Sequence, residues 1–353
     1  MSDPALPPLY ARWMDALLGG HIPKETRATC SNCAMAPPAG EPMGPGQFDP
    51  TTKCCTYVPR LPNFLVGAVL ADEDPDNAPG RATVEGRILA GVGVTPLGLA
   101  RPPAWDLLYR HGVVRSDTAF GRTRSLRCPH FLADGRCGIW RHREGVCATW
   151  HCRNDRGAVG LAFWEALGGL LGVLERSLSY DAVLALGLEG PALRHLLDAP
   201  QPADGPALDG RQSPAARRAI WGGWAERERE LYVATAARVE RMNWSEVRRI
   251  AGPEGEAHAQ LVLQAWQALV WAETPARLQL ARLGSVEIGA ETTAIVTHRG
   301  YDPIEVPSKL LPFLARFDGR PVELVRAELD AEGATVDGAV VQRLVDWGVL
   351  VKA

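Results

Sequence analysis

Three features that mark specialised classes of protein are absent from this sequence. Lysine and arginine (38 residues) do not outnumber aspartate and glutamate (41), so we do not expect bulk electrostatic binding of nucleic acid. No uninterrupted apolar run reaches the ~18 residues of a membrane span. The nearest run, residues 157–177, contains Glu165 and predicts a buried helix. The first 20 residues have no basic leader and do not resemble a signal peptide. We therefore expect a cytoplasmic protein with no membrane partner.

Cysteine is also absent from residues 153–353, which makes its distribution in the rest of the chain informative. All eight thiols fall within the first 152 residues. In a reducing cytoplasm such clustering favours metal binding or catalysis over a disulfide framework. The predicted metal ligands are Cys30, Cys33, Cys54, Cys55, Cys128, Cys137, Cys147 and Cys152.

The spacing of the first four cysteines indicates what kind of metal site they suit. Cys30 and Cys33, in CSNC, have the spacing that lets two sulfurs on one turn reach the same metal. Cys54 and Cys55 are adjacent, so their side chains tend to diverge and suit separate atoms of a polynuclear centre better than one tetrahedral zinc. Thiolates select zinc, cuprous copper or iron-sulfur centres over hard cations. Eight thiols fit either two sites of four thiolates or one cluster with cysteines left over.

The stretch from Cys128 to Cys152 reads CPHFLADGRCGIWRHREGVCATWHC. Together with CSNC and KCC, it resembles the cysteine-cluster proteins grouped as a zinc- or iron-chelating CxxCxxCC domain. Those proteins carry an early C-x2-C and a CC pair, followed by CPFL-like, GRC-x-IY-like and RP-x-x-C-like segments. Besides the eight cysteines, the matching positions are Pro129, Phe131, Leu132, Gly135, Arg136, Ile139, Trp140 and Arg143.

This resemblance covers about residues 30–152 and implies that the cysteines bind zinc or iron. The chain departs from the family pattern at two places. A long Pro- and Gly-rich loop, residues 34–50, separates CSNC from KCC, and Glu144 stands where the family usually has proline. Flagellin lysine N-methylases carry a comparable cluster, thought to hold an iron-sulfur centre, and provide one enzymatic precedent. The glycines of GVGV, residues 91–94, lack the strand-turn-helix context of a nucleotide loop.

Other polar residues within the cysteine-rich stretch have alternative interpretations. Three histidines are alternative ligands, namely His130, His142 and His151. We favour supporting or surface roles for them, because the thiols alone supply enough donors. Four arginines have three alternative roles: they offset the charge of the thiolates, they bind an anionic substrate, or they form a solvated basic face. These arginines are Arg136, Arg141, Arg143 and Arg153. The sequence does not decide between these roles.

Helical periodicity dominates the remainder of the chain. Helices are predicted over residues 5–18, 59–72, 157–199, 215–242 and 255–283, whereas 201–214 have the composition of a linker. Residues 285–307 alternate like a β-hairpin. The order strand, helix, helix, helix, strand after residue 283 resembles a winged-helix module of the PqqD-like kind. We predict a mainly α protein with an irregular Cys-rich metal-binding N-terminal domain (residues 1–156), a helical middle domain (157–282) and a small winged-helix-like α+β module (283–353).

Three functions are compatible with this pattern. The leading hypothesis is a protein whose cysteines hold an iron-sulfur or other iron centre, used for electron transfer or for modification of a protein substrate. The first alternative is a zinc-stapled, non-enzymatic adaptor that binds a peptide or nucleic acid through its C-terminal module. The second is an S-adenosylmethionine-dependent enzyme similar to the lysine N-methylases. Catalytic residues are not identified by the sequence.

Overall fold

The computed structural model of the protein describes residues 6–28, 30, 33–44, 46–113, 119–198, 208–271, 273–334 and 336–353. Helices account for about 53% of the chain, which confirms the prediction of a mainly α protein. The α-helices of the described residues are α1 (Pro8–Leu18), α2 (Asn63–Ala71), α3 (Ala78–Ala90), α4 (Pro103–Leu108), α5 (Gly145–Thr149), α6 (Gly157–Ala185), α7 (Gly190–Asp198), α8 (Pro214–Trp221), α9 (Glu228–Glu240), α10 (Trp244–Val270), α11 (Leu311–Leu314), α12 (Val322–Ala331) and α13 (Gly338–Asp346).

The strands of the described residues are short and pair only in antiparallel ladders. They are β1 (Leu61–Pro62), β2 (Val94–Thr95), β3 (Gly98–Leu99), β4 (Arg277–Leu280), β5 (Ser285–Ile288), β6 (Thr292–Val296), β7 (Ile304–Pro307), β8 (Asp318–Pro321) and β9 (Leu350–Lys352). The sheet orders are β1-β3-β2, β8-β4-β9 and β5-β6-β7. The predicted hairpin over residues 285–307 is therefore a three-stranded meander.

The chain divides into two compact units built from alternating segments. As far as its residues are described, the first unit contains the chain up to Pro23, Cys30–Thr149 and Gly168–Ala259. The second contains Lys24–Thr29, Trp150–Leu167 and Gln260–Ala353, again for the described residues. Seven of the cysteines belong to the first unit and Cys152 to the second. The three-domain division drawn from the sequence stays a prediction.

The first unit is built around the packing of α2 against α9. Helix α2 is apolar on all sides, and Phe64 and Val66 are fully buried in it. A Cβ atom at Gly67 would lie 1.8 Å from the carbonyl oxygen of Tyr232, so only glycine permits this approach of the two backbones. On α9, Leu231 and Tyr232 are fully buried. The cysteine-rich segments are attached to this rigid helix pair.

Polar bonds fix the small sheet beside that pair. Asn63, the first residue of α2, donates from Nδ2 to the carbonyl oxygens of Pro96 and Ser179, each at 3.0 Å. The hydroxyl of Tyr232 donates to the carbonyl oxygen of Thr95 at 2.7 Å. These bonds join the start of α2 to the β2–β3 turn and to α6, and they join α9 to β2.

The Pro- and Gly-rich loop between Cys33 and Cys54 is held by the protein itself. In its described residues it forms turns and no helix or strand, as the sequence predicts. The N–H of Phe48, whose side chain is buried, donates to the carbonyl oxygen of Met35 at 2.7 Å. Arg122 donates to the carbonyl oxygens of Gln47 (2.7 Å) and Gly44 (2.6 Å). Non-local contacts therefore order a segment that has no periodicity of its own.

The second unit contains a compact α+β core and corrects one helix prediction. Strand β4 pairs with β8 and β9, and their apolar residues pack with α12 and α13 around Phe317 and Trp347. The helix predicted over residues 255–283 ends at Val270 instead. Pro275 cannot donate the hydrogen bond that a helix needs. Arg277–Leu280 instead joins a sheet whose partners lie more than 35 residues further along the chain.

Two buried carboxylates tie down loops of the second unit. Asp302 accepts from the N–H of Asn154 at 3.0 Å, pairs with Arg27 at 3.2 Å and lies 3.2 Å from Nε2 of His298. Glu25 accepts from Nε1 of Trp164 at 2.6 Å. Burial raises the pKa of Glu25. Burial also acts to raise the pKa of Asp302, but the bonds from His298 and Asn154 and the charge of Arg27 together outweigh it and lower that pKa.

Helix α6 is, among the described residues, the one helix long and apolar enough to cross a membrane, with a mean hydropathy of 1.6 in its most apolar window. Of that window, 56% is buried. A buried core helix of a globular protein can have the same length and hydropathy, so these two properties are weak evidence for a membrane span. The residues of α6 that are at most 1% exposed include Phe163, Trp164, Leu167, Leu170, Leu171 and Leu174.

Candidate functional site

Six of the seven cysteines of the first unit come from three segments that hydrogen bonds join. The N–H of Cys128 donates to the carbonyl oxygen of Cys55 at 2.7 Å. The Nζ atom of Lys53 donates to the carbonyl oxygens of Cys30 and Gly135, each at 2.8 Å. One ammonium group therefore links the CSNC segment, the CC segment and the turn before Cys137.

The CC segment is a series of tight turns. The N–H of Cys55 returns to the carbonyl oxygen of Thr52 at 3.0 Å, and Lys53 has φ 49°, a left-handed conformation that is costly for a residue with a Cβ. The thiols of Cys54 and Cys55 share a hydrogen bond, which raises the pKa of Cys54 and lowers the pKa of Cys55. The two sulfurs therefore lie next to each other, and the two side chains do not diverge.

Cys128 and Cys137 flank a short loop that closes on itself. Phe131 pairs with Cys137 in an isolated antiparallel bridge. The N–H of Leu132 donates to the carbonyl oxygen of Arg136 at 2.9 Å, and Gly135 adopts φ 82° at the tip. This geometry requires glycine at the turn and places the two cysteines at its base.

Burial controls the protonation of these thiols. It raises the pKa of Cys137 to about 12, with the neighbouring Cys55 adding to the effect. Burial is also the main cause of the raised pKa of Cys128, Cys147 and Cys30, and each of these is influenced by other thiols of the group. At neutral pH the protons stay on these sulfurs unless a cation displaces them.

Three basic side chains lie beside the thiols. Arg143 and Lys53 oppose the upward effect of burial on the pKa of Cys30, and Arg87 does the same for Cys128. Arg143 was a candidate from the sequence; its guanidinium is buried and lies 3.6 Å from the ring centroid of Trp140. Sequence reasoning missed the other two. The position of Lys53 immediately before the CC pair was the available signal.

The short helix α5, which carries Cys147, is capped by buried carboxylates. Glu144 accepts from the N–H groups of Val146 (2.6 Å) and Cys147 (3.2 Å). Glu175 on α6 accepts from the N–H of Gly145 at 2.6 Å and from the hydroxyl of Tyr10. Burial raises the pKa of both carboxyls. Glu144 therefore starts the helix as an N-cap where the resembled family has proline, another residue suited to a helix start.

The candidate histidines occupy three different environments. His130 is fully buried in the first unit, and burial, with Arg87, lowers its pKa to about 3. His142 is partly buried, with Nε2 2.7 Å from Oδ2 of Asp72. His151 belongs to the second unit, where its ring centroid lies 4.4 Å from that of Trp164. The expectation of supporting roles fits the bonded ring of His142.

The remaining candidates are Arg136 and Arg141 in the first unit, and Cys152 and Arg153 in the second. Arg136 is exposed and pairs with Asp134 at 2.8 Å, and Arg141 is exposed. Cys152 and Arg153 belong to a segment of the second unit in which Arg299 donates to the carbonyl oxygen of His151 at 2.8 Å. Arg136 and Arg141 are therefore exposed to solvent, while the roles proposed for the four residues stay predictions.

The thiols are neighbours without converging on one point. Within the described ranges, no three Cys, His, Asp or Glu side chains are close enough together to hold one metal ion. The donor set itself, seven thiols with three cations and a buried imidazole, fits a soft metal or an iron-sulfur centre and does not fit a hard cation. Metal binding by these residues stays a prediction.

Cavities and glycines offer no second site of comparable chemistry in the residues described. Two surface cavities, of about 480 and 410 Å³, lie along α9 and the first half of α10 and share Arg249. Gly91 ends α3 with φ 67°, so GVGV follows a helix and does not precede one. Gly91 therefore serves as a helix C-cap, and Gly93 allows the close approach of the carbonyl oxygen of Ala100.

Comparison with known proteins adds no relative to this picture. No family model, no curated protein and no solved structure matches the chain. The site must therefore be judged by its own chemistry.

Proposed function

We propose that this protein binds a metal through its clustered cysteines, and that the centre is an iron-sulfur cluster or another iron centre. The observation that carries the proposal is the joining of the three thiol-bearing segments by the Cys128–Cys55 backbone bond and by Lys53. Chains seldom bring seven soft donors together unless a soft metal uses them. The use that we propose is electron transfer or the modification of a protein substrate.

The adjacent pair favours a polynuclear centre over a single zinc ion. Cys54 and Cys55 interact with each other and with Cys30, and Cys55 also influences Cys128 and Cys137. Sulfurs that contact each other and interact with thiols of the other segments suit the neighbouring metal atoms of a cluster, whereas one zinc ion takes only four ligands. The alternative is that zinc only staples the first unit, because metal-binding energy is also folding energy in such sites.

The side chains around the thiols have roles that do not depend on which metal binds. Iron-sulfur centres supply one-electron transfer when bound. Lys53 and Arg143 hold positive charge next to sulfurs that become anionic as ligands, which stabilises the thiolate form. Trp140 covers the face of Arg143 and limits its contact with water. These residues orient and neutralise the ligands.

We also propose that the end of the chain is a winged-helix-like module that binds a protein or peptide partner. Helices α11 to α13 are followed by β9, and β9 pairs with β4 beside β8. This element order supports the module, and its apolar core around Phe317 and Trp347 supports independent packing. In the zinc-stapled alternative this module carries the whole function, with a peptide or nucleic acid as its ligand.

The test is analysis of iron, zinc and acid-labile sulfide in protein purified without oxygen, with an absorption spectrum of the same sample. Iron and sulfide in comparable amounts, with visible absorption, are expected. Zinc alone, at about one or two ions per chain, would favour the alternative, in which zinc stabilises the first unit of a non-enzymatic adaptor. Protein that binds neither metal after reconstitution would refute the proposal.

Two single variants sharpen this test. Cys54→Ser and Cys55→Ser are matched, because the residues are adjacent and share one hydrogen bond. A polynuclear centre that uses both sulfurs loses metal in both variants. A mononuclear site that uses one sulfur loses metal in only one of them, which would contradict the polynuclear assignment.

A further inference from the structure

One face of α3 is pressed against the loop between Cys128 and Cys137. A Cβ atom at Gly80 would lie 1.6 Å from the carbonyl oxygen of Gly138, so the two backbones touch at a pair of glycines. Thr83 and Arg87 follow Gly80 at i+3 and i+7 and therefore share its face of the helix. This close approach brings Thr83 to His130, at a distance of 2.6 Å between Oγ1 and Nδ1.

The hydrogen bonds of Thr83 determine which imidazole nitrogen of His130 carries the proton. The hydroxyl of Thr83 donates its single proton to the carbonyl oxygen of Gly80 at 2.6 Å. Its oxygen can then only accept from His130, so Nδ1 carries the hydrogen and Nε2 carries a free lone pair. Metal-binding histidines show this arrangement, in which a bond at one nitrogen orients the other as a ligand.

The free nitrogen of His130 lacks a partner in the part of the chain that is described. His130 is 0% exposed, and its Nε2 atom is buried without a hydrogen bond. Leaving a buried acceptor unpaired costs about 1–3 kcal/mol, so proteins rarely keep one without a use. The remaining groups of His130 are engaged, because its carbonyl oxygen accepts from the N–H of Gly138 at 2.8 Å and its own N–H donates to the sulfur of Cys128.

The count of donors points in the same direction. The first unit holds seven thiols. His130 lies two residues after Cys128 in the same loop as Cys137, and its Nε2 would be the eighth donor of that unit. Neutral imidazole is a normal ligand for both zinc and iron.

We propose that Nε2 of His130 is a ligand of the metal centre, so that the centre has mixed sulfur and nitrogen ligation. This inference rests on the proposed function, since it requires that the cysteines bind a metal. Thr83 is then a positioning residue, which fixes the imidazole through Nδ1. The sequence interpretation had favoured a supporting role for this histidine.

The test is pulsed electron paramagnetic resonance of the reduced iron protein, prepared once with natural histidine and once with ¹⁵N-histidine. A nitrogen coupling that changes with the label is expected in the wild-type protein and in His142→Gln, and it should be lost in His130→Gln. His142 is the matched control, because its ring is bonded to Asp72 at 2.7 Å. If the metal is zinc, X-ray absorption replaces the resonance measurement, and the variant should lose one nitrogen scatterer at about 2.0–2.1 Å.

The outcomes separate this inference from the proposed function. Wild-type protein that binds metal without any histidine nitrogen coupling or scatterer would overturn the ligand role of His130 and leave the metal centre intact. Wild-type protein without metal would overturn the proposed function itself, and the ligand role with it. Because the label is read on the wild-type protein, the absence of a coupling there does not depend on the folding of either variant. A coupling that disappears in His142→Gln and persists in His130→Gln would also refute the inference.

Discussion

Replacement of Gly80 by alanine should separate α3 from the cysteine loop. The new Cβ would lie 1.6 Å from the carbonyl oxygen of Gly138, whereas real Cβ contacts essentially never fall below 3.0 Å. The helix and the loop must therefore move apart by more than an ångström, and both partners are backbone that cannot rotate away. Such overpacking costs about 1–3 kcal/mol. The gain in helix propensity on replacing glycine is only about 0.5–1 kcal/mol.

Gly86 on the same helix supplies the matched control. It is exposed, and a Cβ there would meet nothing within 4 Å. Gly86→Ala should therefore raise the free energy of unfolding by about 0.5–1 kcal/mol, whereas Gly80→Ala should lower it. Urea titration followed by circular dichroism gives the two values, and metal analysis shows whether the loop still holds its centre. Equal stability of the two variants would refute the close approach of α3 to the loop.

Three further predictions test other parts of the protein. Cys128→Ser should lose metal and the folding of the first unit together, because it removes a ligand sulfur that also accepts from the N–H of His130, and metal-binding energy is folding energy in such sites; retained metal would show that Cys128 is not a ligand. The lowered pKa of Asp302 means that its carboxylate stabilises the fold above the unfolded-state pKa, and that this stability is lost as the pH falls through the folded-state pKa. Asp302→Asn should therefore lower the free energy of unfolding by about 2–3 kcal/mol at pH 7, which is less than for a fully buried pair because Arg27 is partly exposed. The variant should also lose less stability than the wild-type protein as the pH falls. An unchanged dependence of stability on pH would contradict this role. An S-adenosylmethionine-dependent methylase would gain about 2.7 kcal/mol of stability from the cofactor at a hundredfold excess over Kd. We expect no such shift in melting temperature for this protein, because Gly91 ends a helix and does not form a nucleotide loop before one.

Local patterns predicted those elements whose stability comes from neighbours in the chain. The apolar spacing of residues 5–18 and the apolar residues of 59–72 predicted α1 and α2 to within four residues of their observed bounds. Where partners are distant, the pattern failed. Residues 277–280 continue a helical spacing, yet they form β4 because β8 and β9 provide hydrogen bonds from far along the chain.

The same distinction applies to the candidate site. Cysteine spacing identified the thiols, because ligand residues must recur in a recognisable pattern. It did not identify Thr83 or Arg87, which act through a helix placed against the loop by Gly80 and Gly138. Glu175 was also missed, although it caps α5 from 30 residues further along the chain. Such contacts depend on tertiary packing that no single-sequence pattern encodes.

Arg87 provides a last argument about the charge of the centre. Its side chain is 7% exposed and donates to the carbonyl oxygen of Ala100 at 2.6 Å, but its Nη1 atom has no partner among the described residues, and none of their carboxylates pairs with it. The groups that raise its pKa against the effect of burial are the thiol of Cys128 and the phenol of Tyr232. A buried guanidinium is costly unless an anion compensates it. A protonated or disulfide-bonded Cys128 would leave that charge uncompensated, whereas a metal-bound thiolate would balance it, so the position of Arg87 favours the proposed centre over a disulfide.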